Sequence, residues 1–153
     1  MPCCVLVVKD HFVGKEVIPA REVAEVRVGK KFWLVSKRVA AMKTLKEGGV
    51  AVFYATGREG RMFLGEGSFS EEPKPLTDEL RFHVRGLPSE KLTHFIKLDH
   101  ARLWDRTVPA EEVVEKLSFI RKRDKWQSYF RGSLRQIPEE DFNLLKSMGS
   151  SQP

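Results

Sequence analysis

Three hydrophobic patterns divide the chain. Cys3 to Val8 is a continuous apolar run of strand length that stops at the polar triplet Lys9-Asp10-His11. It predicts a strand buried on both faces, delivering three polar residues at its end. Phe32 to Pro73 predicts the unit around which the rest is organised. Trp33 precedes a short helix with Ser36 as N-cap, Ala40, Ala41 and Leu45 inward, and Gly48-Gly49 as its stop. A β-branched and aromatic strand follows from Val50 to Thr56, then a turn between Gly57 and Gly60, then a strand from Met62 to Phe69. Gly65 and Gly67 in that last strand imply a sharp bend or a close approach. In the third pattern, Phe95 to Trp104, Ile96 and Leu98 alternate before the phase changes to Ala101 and Leu103, which predicts a β-bulge.

Between and after these stretches the pattern predicts short elements. Glu16 to Val28 suits a short helix opening near Pro19, Ser70 to Asp78 a polar loop, and Leu80 to Val84 a brief strand broken by Gly86-Leu87-Pro88. Pro109 opens a helix with Glu111 and Glu112 in its first turn and Val113, Val114, Leu117 and Ile120 as its apolar face. A short helix over Trp126 to Gly132 and one opened by Pro138, with Phe142, Leu144 and Leu145 inward, complete the chain. The fold class expected is α+β, a partly open, mixed-strand pseudo-barrel of five or six strands with flanking short helices. Residues 1–147 are read as one domain and residues 148–153 as a flexible tail.

Composition adds less than distribution. Hydrophobic residues make up 41% of the 153 and charged residues 31%, as in a globular domain, and no apolar run approaches the ~20 residues of a membrane span. No secretion signal opens the chain, and the adjacent Cys3 and Cys4 read as reduced packing residues, so a cytoplasmic location is expected. The 27 Lys and Arg against 21 Asp and Glu give a net charge of +6, a weak argument for nucleic acid by itself. Arg121, Lys122, Arg123 and Lys125 fall within five residues, Arg131 and Arg135 follow, and Trp126, Tyr129 and Phe130 interleave with them. A charge run is usually a solvated face; mixed with aromatics, it suits phosphates and stacked bases.

Catalytic constellations are missing from the sequence. It has no GxGxxG or GxxxxGK[ST] cradle, no nucleophile elbow and no zinc-deaminase pattern, and His11, His83, His94 and His100 are too dispersed for a metal motif. Neither a cofactor nor a metal is expected, and binding leads over catalysis. Trp33, flanked by Lys30, Lys31, Lys37 and Arg38, has two readings: a core anchor, or a stacking wall for a flat ligand such as a nucleobase.

The order of motifs resembles the EVE domain, of the PUA-like superfamily that includes YTH and ASCH domains. The resemblance spans nearly the whole chain. Its most specific part is LSFIRKRDKWQSYFRGSLRQIPEEDFNLL, Leu117 to Leu145, which is similar to archaeal stand-alone EVE proteins. The central FWLVSKRVAAMKTLKEGGVAVFYATGREGRMFLGEGSFSEEP is similar in arrangement. The resemblance implies a non-catalytic nucleic-acid-binding domain, for RNA or DNA, that holds a single flipped and often methylated base in an aromatic pocket. It implies Trp33 as one wall, Lys9, Asp10 and His11 at the base edge, Leu34 and Ser36 beside them, and Arg131 and Gly132 in a late turn. The opposite wall is offered by Phe82 or His83, where the sequence departs from the family by lacking a tryptophan. Lys31, Arg121, Lys122, Arg123, Lys125 and Trp126 are the expected phosphate contacts. An enzyme or enzyme subunit of RNA or DNA modification, and a structural protein with no base pocket, are the competing readings.

Overall fold

The computed structural model describes residues 3–36, 48–77, 87–88 and 92–149. The first strand, β1 (Cys3–Lys9), lies at the centre and is buried along its apolar length. Side chains alternate across a strand, and here both faces meet a core. Cys3, Val5 and Val7 enter one cluster, whereas Cys4, Leu6 and Val8 enter another. That is why the run is apolar without alternation. Two short strands, β2 (His11–Val13) and β3 (Glu16–Ile18), form a hairpin, and α1 (Ala20–Gly29) follows as expected near Pro19. The α1 side chains Ala20, Val23, Ala24 and Arg27 are buried, a helical spacing along one face.

Next come β4 (Phe32–Val35), β5 (Val50–Gly57), β6 (Gly60–Phe69), the two-residue β7 (Lys74–Pro75) and β8 (Leu87–Pro88), and the long β9 (His94–Pro109). The chain then forms α2 (Ala110–Val113), 3₁₀ segments Val114–Lys116 and Arg123–Phe130, β10 (Leu134–Ile137) and α3 (Glu139–Gly149). The main sheet runs β10-β1-β5-β6-β9-β4, with β7 added beside β9, and β3-β2-β8 makes a second, small sheet. β1 and β5 pair in parallel, and the other pairings are antiparallel. Ser133 draws the open side together: its carbonyl accepts the Val7 N–H at 2.9 Å and its hydroxyl oxygen accepts the Ser36 N–H at 2.9 Å. The expected α+β, mixed-strand half-barrel with flanking helices is what forms.

The phase change in β9 is a bulge. Ser68 pairs with Asp99 and Glu66 with Arg102, so His100 and Ala101 stand opposite Gly67 alone, with His100 at φ +50°. The extra residue keeps Ala101 and Leu103 on the same core face as Ile96 and Leu98. A Cβ on Gly67 would lie 3.0 Å from Ala101 Cβ and 3.1 Å from Phe53 Cζ, so the glycine permits that approach.

Several expectations change. Trp33 sits inside strand β4, not at a loop-to-helix junction. The helix expected beyond Ser36 falls on residues 37–47, and the strand Leu80 to Val84 with Phe82 and His83 falls on 78–86; both lie outside the described residues. The helix expected after Pro109 shrinks to α2 and a 3₁₀ turn, and Leu117 is already extended. α3 continues past residue 147: Met148 packs on the core and a Cβ on Gly149 would strike the Trp104 ring.

Candidate nucleic-acid interface

The polar triplet ending β1 is half structural. Asp10 is buried, and its carboxylate accepts the N–H of Ala20 at 2.9 Å and of Arg58 at 2.9 Å. One carboxylate thereby satisfies the first helical N–H of α1, where Pro19 offers no side-chain cap, and fixes the β5–β6 turn. Gly57 makes this possible, since a Cβ there would lie 2.0 Å from Asp10 Oδ1. His11 is buried too, and its Nε2 accepts a hydrogen bond from Arg27 Nη2 at 3.4 Å. Lys9 is half-buried at the strand end.

Trp33 is fully buried. Phe53 stacks on its indole at 4.6 Å and 8°, and the Arg27 guanidinium lies over it at 5.0 Å. Phe53 and Arg27 thus cover the flat surface that a stacked base would use. The Trp33 Nε1–H is buried with no hydrogen-bond partner among the described residues, an expensive state for an indole donor.

The other expected pocket residues divide. Ser36 is half-buried beside Ser133, whereas Leu34 is buried in a separate small cluster with Phe32 and Leu92, on the other face of β4 from Trp33. Arg131 is exposed and Gly132 takes φ +85° just before Ser133. Phe82 and His83 lie outside the described residues, so the opposite wall is not placed. The structure thus brings His11 and Trp33 onto Arg27, ties Asp10 to the start of α1, and links Ser36 to the Gly132–Ser133 turn.

Within the basic segment, Arg121, Lys122, Arg123 and Lys125 are exposed, as is Lys31. Trp126 is not a surface platform: it is buried, edge-on to Phe130 at 6.3 Å, with the Arg61 guanidinium 5.9 Å from its ring. Trp126 and Phe130, four residues apart, turn inward together, while Arg123, Asp124 and Lys125 just before them are exposed. Arg123 Nη2 donates to the Glu115 carbonyl at 2.9 Å. The hydroxyl oxygen of Tyr129 accepts the N–H of Arg121 at 3.2 Å and of Lys122 at 3.1 Å, and these bonds pull the phenol below its usual pKa.

Sequence reasoning missed Arg27 and Ser133. Arg27 was detectable, since it holds the fourth inward position of an otherwise apolar helix face. Ser133 carried no signal, because its role depends on β4 and β1 meeting. A cavity of about 560 Å³ was also missed, lined by Lys30, Lys31, Phe32, Ser70, Phe95, Lys97 and Leu98 at the far end of β4 from Ser36. Among the described residues no group of three His, Cys, Asp or Glu could hold a metal ion, and no helix is long and apolar enough to cross a membrane.

No family model matches the chain. Its fold is similar to human THYN1 protein solved in complex with 5-methylcytosine containing DNA, with TM-score 0.61, 14% identity and 100% of both chains covered. It is also similar to the YTH domain of the Zygosaccharomyces rouxii MRB1 protein in complex with N6-methyladenosine RNA, with TM-score 0.58, 14% identity, and 99% of this chain and 89% of that one covered. At such identities the likeness shows the fold alone. In sequence, the chain is 30% identical over 125 residues to a UPF0310 protein of Pyrococcus abyssi, spanning 78% of this chain and 87% of that protein. The chain belongs to the UPF0310 family.

Proposed function

We propose that this protein is a non-catalytic, EVE-type nucleic-acid-binding domain that accommodates a flipped base, methylated bases included, at Trp33. The observation that carries the reading is the cluster of Trp33, Arg27 and His11 beyond the end of β1, in a fold similar to those of proteins solved with methylated DNA and RNA. The Arg27 guanidinium is flat, and it occupies the indole surface that a base would take. A base enters by displacing it. The incoming ring gains about 1–3 kcal/mol from stacking on tryptophan, comparable to the few kcal/mol that unstacking costs.

In this reading the His11 imidazole meets the polar edge of the base. Asp10 acts through α1 by holding its first turn. Lys9, Ser36 and Arg131 lie toward the sugar and phosphate, and Lys31, Arg121, Lys122, Arg123 and Lys125 supply salt-dependent attraction.

Fluorescence anisotropy with labelled single-stranded and duplex oligonucleotides tests it, each carrying 5-methylcytosine, N6-methyladenine or the unmodified base. Tighter binding to one modified base over its unmodified counterpart supports the reading. Equal binding to all members of the panel, or none, defeats it.

A further inference from the structure

We propose that Arg135, packed against Phe119 and Tyr129, is the phosphodiester anchor of the basic edge, with the Tyr129 hydroxyl as a second donor to the same phosphate. The proposal rests on the nucleic-acid reading above, but not on any base preference.

Arg135 belongs to β10, the edge strand of the main sheet, and is half-buried. Its guanidinium carbon lies 5.3 Å from the centre of the Phe119 ring and 4.9 Å from that of Tyr129. The two rings meet edge to face at 6.2 Å and 70°. Nε is buried with no hydrogen-bond partner, and no carboxylate pairs with this side chain among the described residues. A guanidinium donates only in its own plane. The rings cover one side of it and Nε is buried, which leaves the terminal edge as its outlet, the edge by which arginine grips two oxygens at once.

Tyr129 is oriented by its neighbours. Its oxygen accepts two main-chain N–H groups, from Arg121 and Lys122, so the acceptor capacity of the phenol is filled and its own proton is left to donate. These bonds also make that O–H more acidic, hence a stronger donor. They tie the basic loop to the ring packed on Arg135. Asp141 secures the other ring's loop, accepting the N–H of Ser118 at 3.0 Å and of Phe119 at 3.1 Å. Arg135 also lies two residues beyond Ser133, which joins the turn near the proposed base site.

The bland alternative is packing: the arginine merely covers Phe119. Full-length Arg135→Met keeps the packing and loses the fork, Arg135→Lys keeps the charge and loses the fork, and Tyr129→Phe keeps the ring and loses the donor. Each is titrated against a fluorescein-labelled unmodified single-stranded DNA and a copy carrying the preferred modified base, at several salt concentrations. Arg135→Met should weaken both probes by the same factor, about tenfold, and reduce the salt slope by about one. Arg135→Lys should recover the slope but less than half of the lost affinity on a logarithmic scale, and Tyr129→Phe should weaken both probes by about threefold with the slope unchanged. Wild-type affinity in Arg135→Lys overturns the proposal, as does an unchanged slope in Arg135→Met; the lysine variant decides if the methionine variant fails to fold. Loss confined to the modified probe also overturns it, by assigning Arg135 to the base site. If the wild type binds both probes equally, the base reading fails while the anchor remains under test. If it binds neither, both fall.

Discussion

The guanidinium of Arg27 lies 5.0 Å from the centre of the Trp33 indole, in a core where Trp33 has no exposed surface. The same arginine donates to His11 Nε2 at 3.4 Å, so one buried cation joins α1, β2 and β4. A buried charge is retained only when its surroundings hold it, and removing it changes both the core and whatever it covers. Arg27→Met keeps the aliphatic stem and uncovers the indole. Nucleobase affinity should rise by about fivefold, because the bound state no longer competes with the arginine. Weaker base binding with an intact fold, measured by nucleoside titration, would instead make Arg27 a ligand of the base.

Trp33 itself holds the barrel together. Trp33→Ala removes a fully buried ring stacked on Phe53 and should cost about 3–5 kcal/mol in urea denaturation. A loss under about 1 kcal/mol would contradict the packing described. Trp33→Phe is therefore the variant in which base binding is measured, since it keeps an aromatic ring and loses the Nε1–H.

Gly57 allows Asp10 to reach two N–H groups at once. Gly57→Ala should displace the carboxylate and lower stability by about 1–3 kcal/mol, with the start of α1 exchanging its amide hydrogens faster. Unchanged exchange at Ala20 and Arg58 would refute this link.

Cys3 and Cys4 are buried, and burial holds both thiols above their ordinary pKa, Cys4 far above. The reactive thiolate is therefore scarce near neutral pH. A thiol reagent should modify neither cysteine in the native protein and both in denaturant. Rapid native labelling would show that β1 opens readily.

Much of this architecture was legible in the residues. The unbroken apolar run of β1 reported two cores, and the phase change after Leu98 reported the bulge that keeps Ala101 and Leu103 on the Ile96 face. The placement of Trp33 was not legible. Whether a strand tryptophan is open or covered depends on an arginine six residues earlier, in a helix that packs over it. The Arg121 to Tyr129 stretch misled in part. The exposed charges were read correctly, but 3₁₀ winding turns Trp126 into the core and leaves Tyr129 and Arg135 as the aromatic–cation pair at the surface. The opposite wall of the base site, assigned to Phe82 or His83, lies among residues not described and stands as a proposal.

The central claim is that a base is held at Trp33, and its indole N–H reports on that directly. Three tryptophans give three indole ¹H–¹⁵N resonances, of which Trp33→Phe identifies one and Trp104, donating to Glu66 Oε1 at 3.1 Å, serves as an internal reference. Titration with the preferred nucleoside should shift the Trp33 resonance upfield as the ring current of the stacked base replaces the guanidinium over the indole, while the Trp104 resonance stays in place. Saturable binding that leaves the Trp33 resonance unmoved would contradict the account and return Trp33 to the core alone.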